Sequence, residues 1–140
     1  MELFLGKKKI QNNELLDLKE SQKDPIIKIN KTDKYYTLIM YDIYAPSVYN
    51  PRYSPYLHYL NINIYNNNID NGNIIKKYKP PSPPPKSGNH LYKLELYKHK
   101  NKYNINYDIS RPNFNLKSFI SQNNLLLIES IQFYVIPNNN

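Results

Sequence analysis

The 140-residue chain has no cysteine and no tryptophan, and only 3 glycines and 2 methionines. Without cysteine there can be no disulfide staple, no zinc–thiolate centre and no thiol nucleophile, and a reducing compartment is compatible with the composition. No stretch approaches the ~18 apolar residues of a membrane-spanning helix. The opening MELFLGKKKI holds an apolar run too short for a signal peptide, and its lysines follow that run instead of preceding it. The expectation is a cytoplasmic protein without a transmembrane segment, at most peripheral at membranes. Acidic residues are also scarce, 11 against 19 lysines and arginines, for a net charge of +8. Such an excess suits nucleic acid or an anionic membrane. Here, however, the lysines are scattered, and Lys, Asn, Ile and Tyr are enriched together as AT-rich codons would give, the bias of a parasite or a large DNA virus. Nucleic acid is therefore not the expected partner.

What is present is aromatic and apolar in globular proportion. There are 15 tyrosines and 4 phenylalanines, and hydrophobic residues make up 40%. Disordered chains carry few aromatics, and this length suits one domain. Tyrosine covers apolar area while keeping a polar tip, so many of these rings are expected at core edges or around a site.

Along the chain, segment 1–23 is polar apart from ELLDL and reads as a partly ordered N-terminal extension, with Asn13 as a cap over Leu15, Leu16 and Leu18. DPIIKIN (24–30) reads as a strand. KYYTLIMYDIY (34–44), β-branched, aromatic and almost continuously apolar, reads as a well-buried one. APSVYNPRYSP (45–55) holds three prolines and reads as an ordered loop, and YLHYLNINIY (56–65) alternates as a strand. NNNIDNGN is turn chemistry, with Asn71-Gly72 supplying left-handed backbone. IIKKYK reads as a short strand before a proline loop at 80–90, and LYKLELYKHK (91–100) as a strand. Asn115 caps a helix over LKSFISQ, IESIQFYVI (128–136) closes as a strand, and 138–140 is a frayed tail. Strands follow one another without βα crossovers, which favours an antiparallel β-sandwich with one or two short helices.

Function concentrates in long, stiffened loops. Asp42, Ser47, Tyr53, His58, Ser87, His90 and Tyr92 lie in or beside the two proline loops. His58 and His90 each open a strand, so their imidazoles can converge on one rim. Imidazolium, hydroxyl and the backbone N–H groups of KSGN can all donate to an oxyanion. Gly88 allows left-handed backbone and close approach of an anion. Asp42 can accept from a histidine ring N–H and favour its charged form. The site this describes binds a small, phosphate-type anion. Two histidines and one aspartate match no closed zinc pattern. No strand–turn–helix elbow surrounds Ser47 or Ser87, so the residue types of a nucleophilic triad lack their motif. PPSPPP has the composition, and only that, of a PPII ligand. His99, between lysines, is expected in solvent.

Two segments together resemble the phosphatidylethanolamine-binding protein family, also called Raf kinase inhibitor proteins. YDIYAPSVYNPRYSPYLHYLNINI is similar to a D-P-D-A-P-S signature followed by a proline loop and a W-x-H strand. PPPKSGNHLYKLELY is similar to P-P-x-G-T-G-x-H-R-Y, and RPNFNLKSFI to R-x-x-F-N-L-x-x-F. The likeness spans roughly residues 24 to 136, within one domain at 24–137. It implies an antiparallel β-sandwich whose two signature loops, 45–58 and 80–92, form an anion pocket for a phosphate-containing small ligand or a phospholipid headgroup. No catalysis, cofactor or metal is implied. The match carries the ligand role to Asp42, Ala45, Pro46, Ser47, Tyr53, His58, Pro83, Pro84, Gly88, His90 and Tyr92, with Tyr56 in place of the family's tryptophan. Lys86 and Ser87 join them from the loop itself. Tyr44 replaces the family's second aspartate, Ile43 the proline after the first, Lys86 a loop glycine and Leu91 an arginine. A second histidine charge beside the anion predicts tighter binding at mildly acid pH. The other role implied is regulation of a protein partner, a kinase, another signalling protein or a protease, with the pocket secondary.

Overall fold

In the computed structural model, which describes residues 1–138, the chain forms nine strands and two short helices. They are β1 (Glu2–Leu5), β2 (Lys8–Lys9), β3 (Glu14–Leu16), α1 (Leu18–Ser21), β4 (Pro25–Lys28), β5 (Tyr35–Asp42), β6 (Tyr56–Ile64), β7 (Asn73–Lys76), β8 (His90–His99), α2 (Leu116–Gln122) and β9 (Leu126–Val135). A sheet of order β2-β1-β4 packs on one of order β3-β9-β8-β5-β6-β7. The expected β-sandwich with two short helices is found. Its pairing is antiparallel throughout except for β3 beside β9, which run parallel. Among the described residues, no helix is long and apolar enough to cross a membrane.

The near-continuous apolar run of β5 follows from burial on both faces. Leu38 and Met40 face the small sheet, with Leu3, Leu5, Ile27, Leu94 and Phe133. Ile39 and Tyr41 pack on the other face with Ile109, Phe114 and Phe119, under α2. Period-2 side-chain alternation sends neighbouring residues to opposite faces, and here both faces are dry.

Four expectations need correction. Segment 1–23 is no extension. β1 pairs with β4 from Glu2↔Lys28 to Leu5↔Pro25, β3 pairs with β9, and Leu3, Leu5, Ile10 and Leu16 are core residues. The spaced leucines of LFL and ELL bury alternately in strands, which a reading of that segment as polar overlooked. Asn13 caps nothing. It takes left-handed backbone at φ 66, while Asp17 caps α1 in a reciprocal box with Glu20. At Asn71-Gly72 the left-handed residues are Asn66 and Asn67 instead. Gly72 is needed for space, since a Cβ there would lie 2.1 Å from Asn61 Oδ1. His99 is buried, with Nε2 2.9 Å from Thr37 Oγ1 and Nδ1 2.9 Å from the Asn101 carbonyl oxygen. Of the expected tail, residues 139–140 lie outside the described residues.

Candidate functional site

β5 and β8 are neighbours, and β6 flanks β5 on the other side, so the ends of β5 and the starts of β6 and β8 share one rim. The loop between β5 and β6 and the loop before β8 meet there. The Val48 amide donates to the Ser87 carbonyl at 2.9 Å and the Tyr53 amide to the Ala45 carbonyl at 2.9 Å. The Ala45–Pro46 and Ser54–Pro55 peptide bonds are cis. Gly88 has φ +86, and a Cβ there would stand 2.8 Å from Val48 Cγ2. Its lack of a side chain lets the two loops close on each other. Lys86, at φ 62, adopts a backbone that glycine reaches without strain, and its side chain is exposed.

The RPNFNL segment fastens this end of the molecule. Backbone bonds run from Leu57 to Arg111, from Asn113 to Tyr53 and from Phe114 to Pro55. The Arg111 guanidinium donates to the Leu57, His58 and Lys77 carbonyls at 3.0, 3.1 and 2.8 Å. Its positive charge is thus spent on backbone that shapes the site.

Between the loops lies a cavity of about 120 Å³, lined by Asp42, Ala45, Pro46, Tyr53, Tyr56, His58, Lys79, Ser82, Pro84 and His90. That leaves room for several waters or one small ligand. Asp42 is fully engaged. Oδ2 accepts from His90 Nδ1 at 2.7 Å, and Oδ1 accepts from the Tyr44 amide at 2.7 Å. His90 Nε2 lies 2.8 Å from Ser87 Oγ, which donates to the Pro84 carbonyl at 2.6 Å. His58 Nδ1 is 2.7 Å from the Lys79 carbonyl oxygen, and the Lys79 amide donates to the His58 carbonyl at 2.8 Å. Among the described residues nothing bonds His58 Nε2, which stays open to the cavity. Lys79 Nζ donates to Tyr56 Oη at 2.8 Å and stands 4.8 Å from the centre of that ring. It meets no carboxylate among the described ion pairs.

The structure thus brings Asp42, Ala45, Pro46, Tyr53, Tyr56, His58, Pro84 and His90 together around one cavity. Ser47, Pro83, Lys86, Ser87, Gly88 and Tyr92 do not line it. Ser87 and Gly88 serve loop closure. Tyr92, fully buried, packs behind the rim: its ring lies 5.1 Å from that of His58, 6.4 Å from His90 and 5.7 Å from Phe133. Burial, with the Asp42 carboxylate nearby, pushes its phenol well above the ordinary range. His90 was expected to contact an anion, but both of its ring nitrogens are already used within the protein. Sequence reasoning missed Lys79 and Ser82. The available signal was a lysine immediately ahead of the proline run, in YKPPSPPP.

His58 also departs from expectation. Burial pushes it down to about 4, against the upward pull of the Lys79 carbonyl and the Asp42 carboxylate. At neutral pH it is an imidazole, not the expected imidazolium. An unfolded histidine takes its proton near ~6.5. Between that value and about 4 the unfolded chain holds the proton and the folded one does not. His58 therefore leaves stability intact above ~6.5 and removes up to about 3 kcal/mol as pH falls to about 4. His99, lowered by its own burial, acts with the same sign. The urea midpoint is expected to drop between pH 7 and pH 4.5, and His58→Phe to flatten the decline. Equal slopes in wild type and variant would count against a neutral, buried His58.

Two β-sheets and two proline-bearing loops, closed over a cavity at the strand mouths, define the class: the chain belongs to the phosphatidylethanolamine-binding protein family, whose model matches residues 6–129. It is 31% identical over 139 residues to Protein TWIN SISTER of FT of Arabidopsis thaliana, covering 96% of this chain and 77% of that protein. It is 34% identical over 97 residues to a 26 kDa secreted antigen of Toxocara canis, covering 64% of this chain but 37% of the antigen. Among solved structures, the phosphatidylethanolamine-binding protein from Plasmodium vivax superposes with a TM-score of 0.81 at 20% identity, over 97% of this chain and 85% of that one. A carboxypeptidase Y inhibitor, solved with its cognate proteinase, also gives 0.81, at 21% identity over 98% and 82%. At these identities the two structures speak for the fold.

Proposed function

We propose that the chain is a binding protein that holds a phosphate-type anion, a phospholipid headgroup or another phosphorylated group, between the 45–58 and 79–90 loops. The observation that carries this reading is Lys79: an ammonium without a carboxylate partner among the described ion pairs, fixed on Tyr56 at the wall of a small cavity. The one carboxylate in the lining, Asp42, has both oxygens committed to the protein. Tyr53, Tyr56 and Ser82 add hydroxyls. Titration with phosphoethanolamine, followed by the histidine ring and Lys79 Nζ resonances, is expected to move His58 and Lys79 at millimolar ligand while His99 stays still. If neither moves, the reading fails.

A binding role also accounts for Ser87 better than catalysis does. Asp42, His90 and Ser87 stand in the order of a nucleophilic triad, but the Ser87 hydroxyl donates to the Pro84 carbonyl and the residue lies outside the cavity lining. A second reading, regulation of a protease, a kinase or another signalling protein, draws on the likeness to the carboxypeptidase Y inhibitor and on Tyr49, 80% exposed in the first loop. It predicts partner capture that survives loss of the cavity's anion binding.

A further inference from the structure

Given the anion site proposed above, we infer that the cavity takes the singly protonated form of a phosphate monoester, with Lys79 and Tyr56 donating to it and His58 Nε2 accepting the ligand's own O–H. The tautomer of His58 is set by geometry. A carbonyl oxygen can only accept, so the 2.7 Å contact with the Lys79 carbonyl places the ring proton on Nδ1. Nε2 then presents a lone pair to the cavity, and a bare oxyanion offers it nothing. The opposite wall is a donor wall. Tyr56 Oη accepts from Lys79 Nζ and keeps its own hydrogen for a ligand, and the remaining Lys79 hydrogens have no other acceptor among the described residues. A group that fills both walls must carry one donor hydrogen and at least one anionic oxygen, and within a phosphate group that hydrogen is an acid one. A phosphate monoester near neutral pH can do so, whereas a diester has no such hydrogen.

The groups around His58 hold this arrangement. Among the described residues Asp42 from β5 is the one anion facing it, and it is spent on His90 and the Tyr44 amide. Tyr56 and Tyr92 flank the ring at 5.2 and 5.1 Å, and Tyr53 lines the same cavity. Lys79 and Arg111 are the cations, and both disfavour a second proton on the imidazole, as burial does. The proton on the bound group therefore comes from solvent. A monoester that is mostly dianionic above its second pKa of about 6 takes up one proton as it binds. Binding still tightens toward mildly acid pH, the trend expected from a charged histidine, but the titrating group is the ligand.

The test uses methyl phosphate and dimethyl phosphate, which bring no amine of their own. Methyl phosphate affinity is expected to fall about tenfold per pH unit from 7 to 8.5, with close to one proton taken up per site by calorimetry in two buffers of different ionisation enthalpy. Dimethyl phosphate is expected to bind at least tenfold more weakly at pH 6.5, without that slope. His58→Phe should erase the slope, and Lys86→Met, outside the cavity lining, should keep it. Vesicles carrying phosphatidic acid, a monoester, against phosphatidylglycerol, a diester, separate the sources. Preference for the former supports a lipid headgroup, and binding of methyl phosphate alone supports a soluble ligand. Equal affinity for the two methyl esters, or a flat monoester profile, would overturn the inference and leave the anion site standing. If neither ester binds, both are overturned.

Discussion

Lys79→Met is expected to weaken phosphate binding by about 10- to 100-fold at pH 7 while moving thermal stability by less than 1 kcal/mol. A hydrogen bond from a charged donor to an anion contributes about 1.5–3 kcal/mol, which at 1.4 kcal/mol per decade gives that range. Among the described residues Lys79 is the free cation of the cavity wall: Arg111 is consumed by three carbonyls, and His58 is neutral at that pH. Methionine keeps most of the aliphatic stem that covers Tyr56 and removes only the charge and the donor. The backbone bonds between Lys79 and His58 do not depend on the side chain, so the His58 tautomer survives. Lys86→Met, in the same loop but outside the cavity, should leave affinity within about twofold, because an exposed charge at that distance is screened. Calorimetric titration of phosphate into the three proteins checks this. A loss in Lys86→Met equal to that in Lys79→Met would move the anion to the loop surface, out of the cavity.

The contrast between these lysines shows what could be read from residues and what could not. Strands β5, β6 and β8 announce themselves through alternation and β-branching, and Asn115 caps α2 as its position implies. That Asp42 accepts from a histidine was legible because Asp42, His58 and His90 each sit beside a proline loop at a strand end; that the partner is His90, 48 residues away, was not. Lys79 was not, because its place depends on a backbone pairing with His58 that no local pattern encodes. The ionisation of His58 was misread for a related reason. Strand position indicates a rim, but only the packed rings of Tyr56 and Tyr92 reveal that the rim is dry enough to keep the imidazole neutral. Gly88 was assigned to ligand approach because a lone glycine beside a candidate site permits it. The chain uses that glycine to let Val48 in. The N-terminal strands were lost to their length, since β1, β2 and β3 are four, two and three residues long, too short for an alternating pattern to stand out among the charged residues around them.

Asp42→Ala is expected to cost about 2–5 kcal/mol and to lower the melting temperature by on the order of 10 °C. The carboxylate takes two hydrogen bonds with two different oxygens, from His90 Nδ1 and from the Tyr44 amide, and both it and His90 are buried. Alanine leaves those donors without an acceptor, and the imidazole is too enclosed for water to replace it fully. Asp42→Asn should fall between alanine and wild type. An amide has one oxygen where the carboxylate has two, so it can serve either Tyr44 or His90 while its NH₂ faces the other donor. The damage should be local in sequence terms yet felt across the site. His90 reaches Ser87, Ser87 holds the Pro84 carbonyl, and the Ser87 carbonyl receives the Val48 amide that closes the first loop. Amide exchange at Ser87, Gly88 and Val48 should therefore accelerate in Asp42→Asn, while β5 and β8 amides two or more residues from the rim keep their protection. If Asp42→Asn and Asp42→Ala both melt within 2 °C of wild type with loop exchange unchanged, the Asp42–His90 bond does not hold the rim. The cavity would then owe its shape to Arg111 and the RPNFNL segment alone.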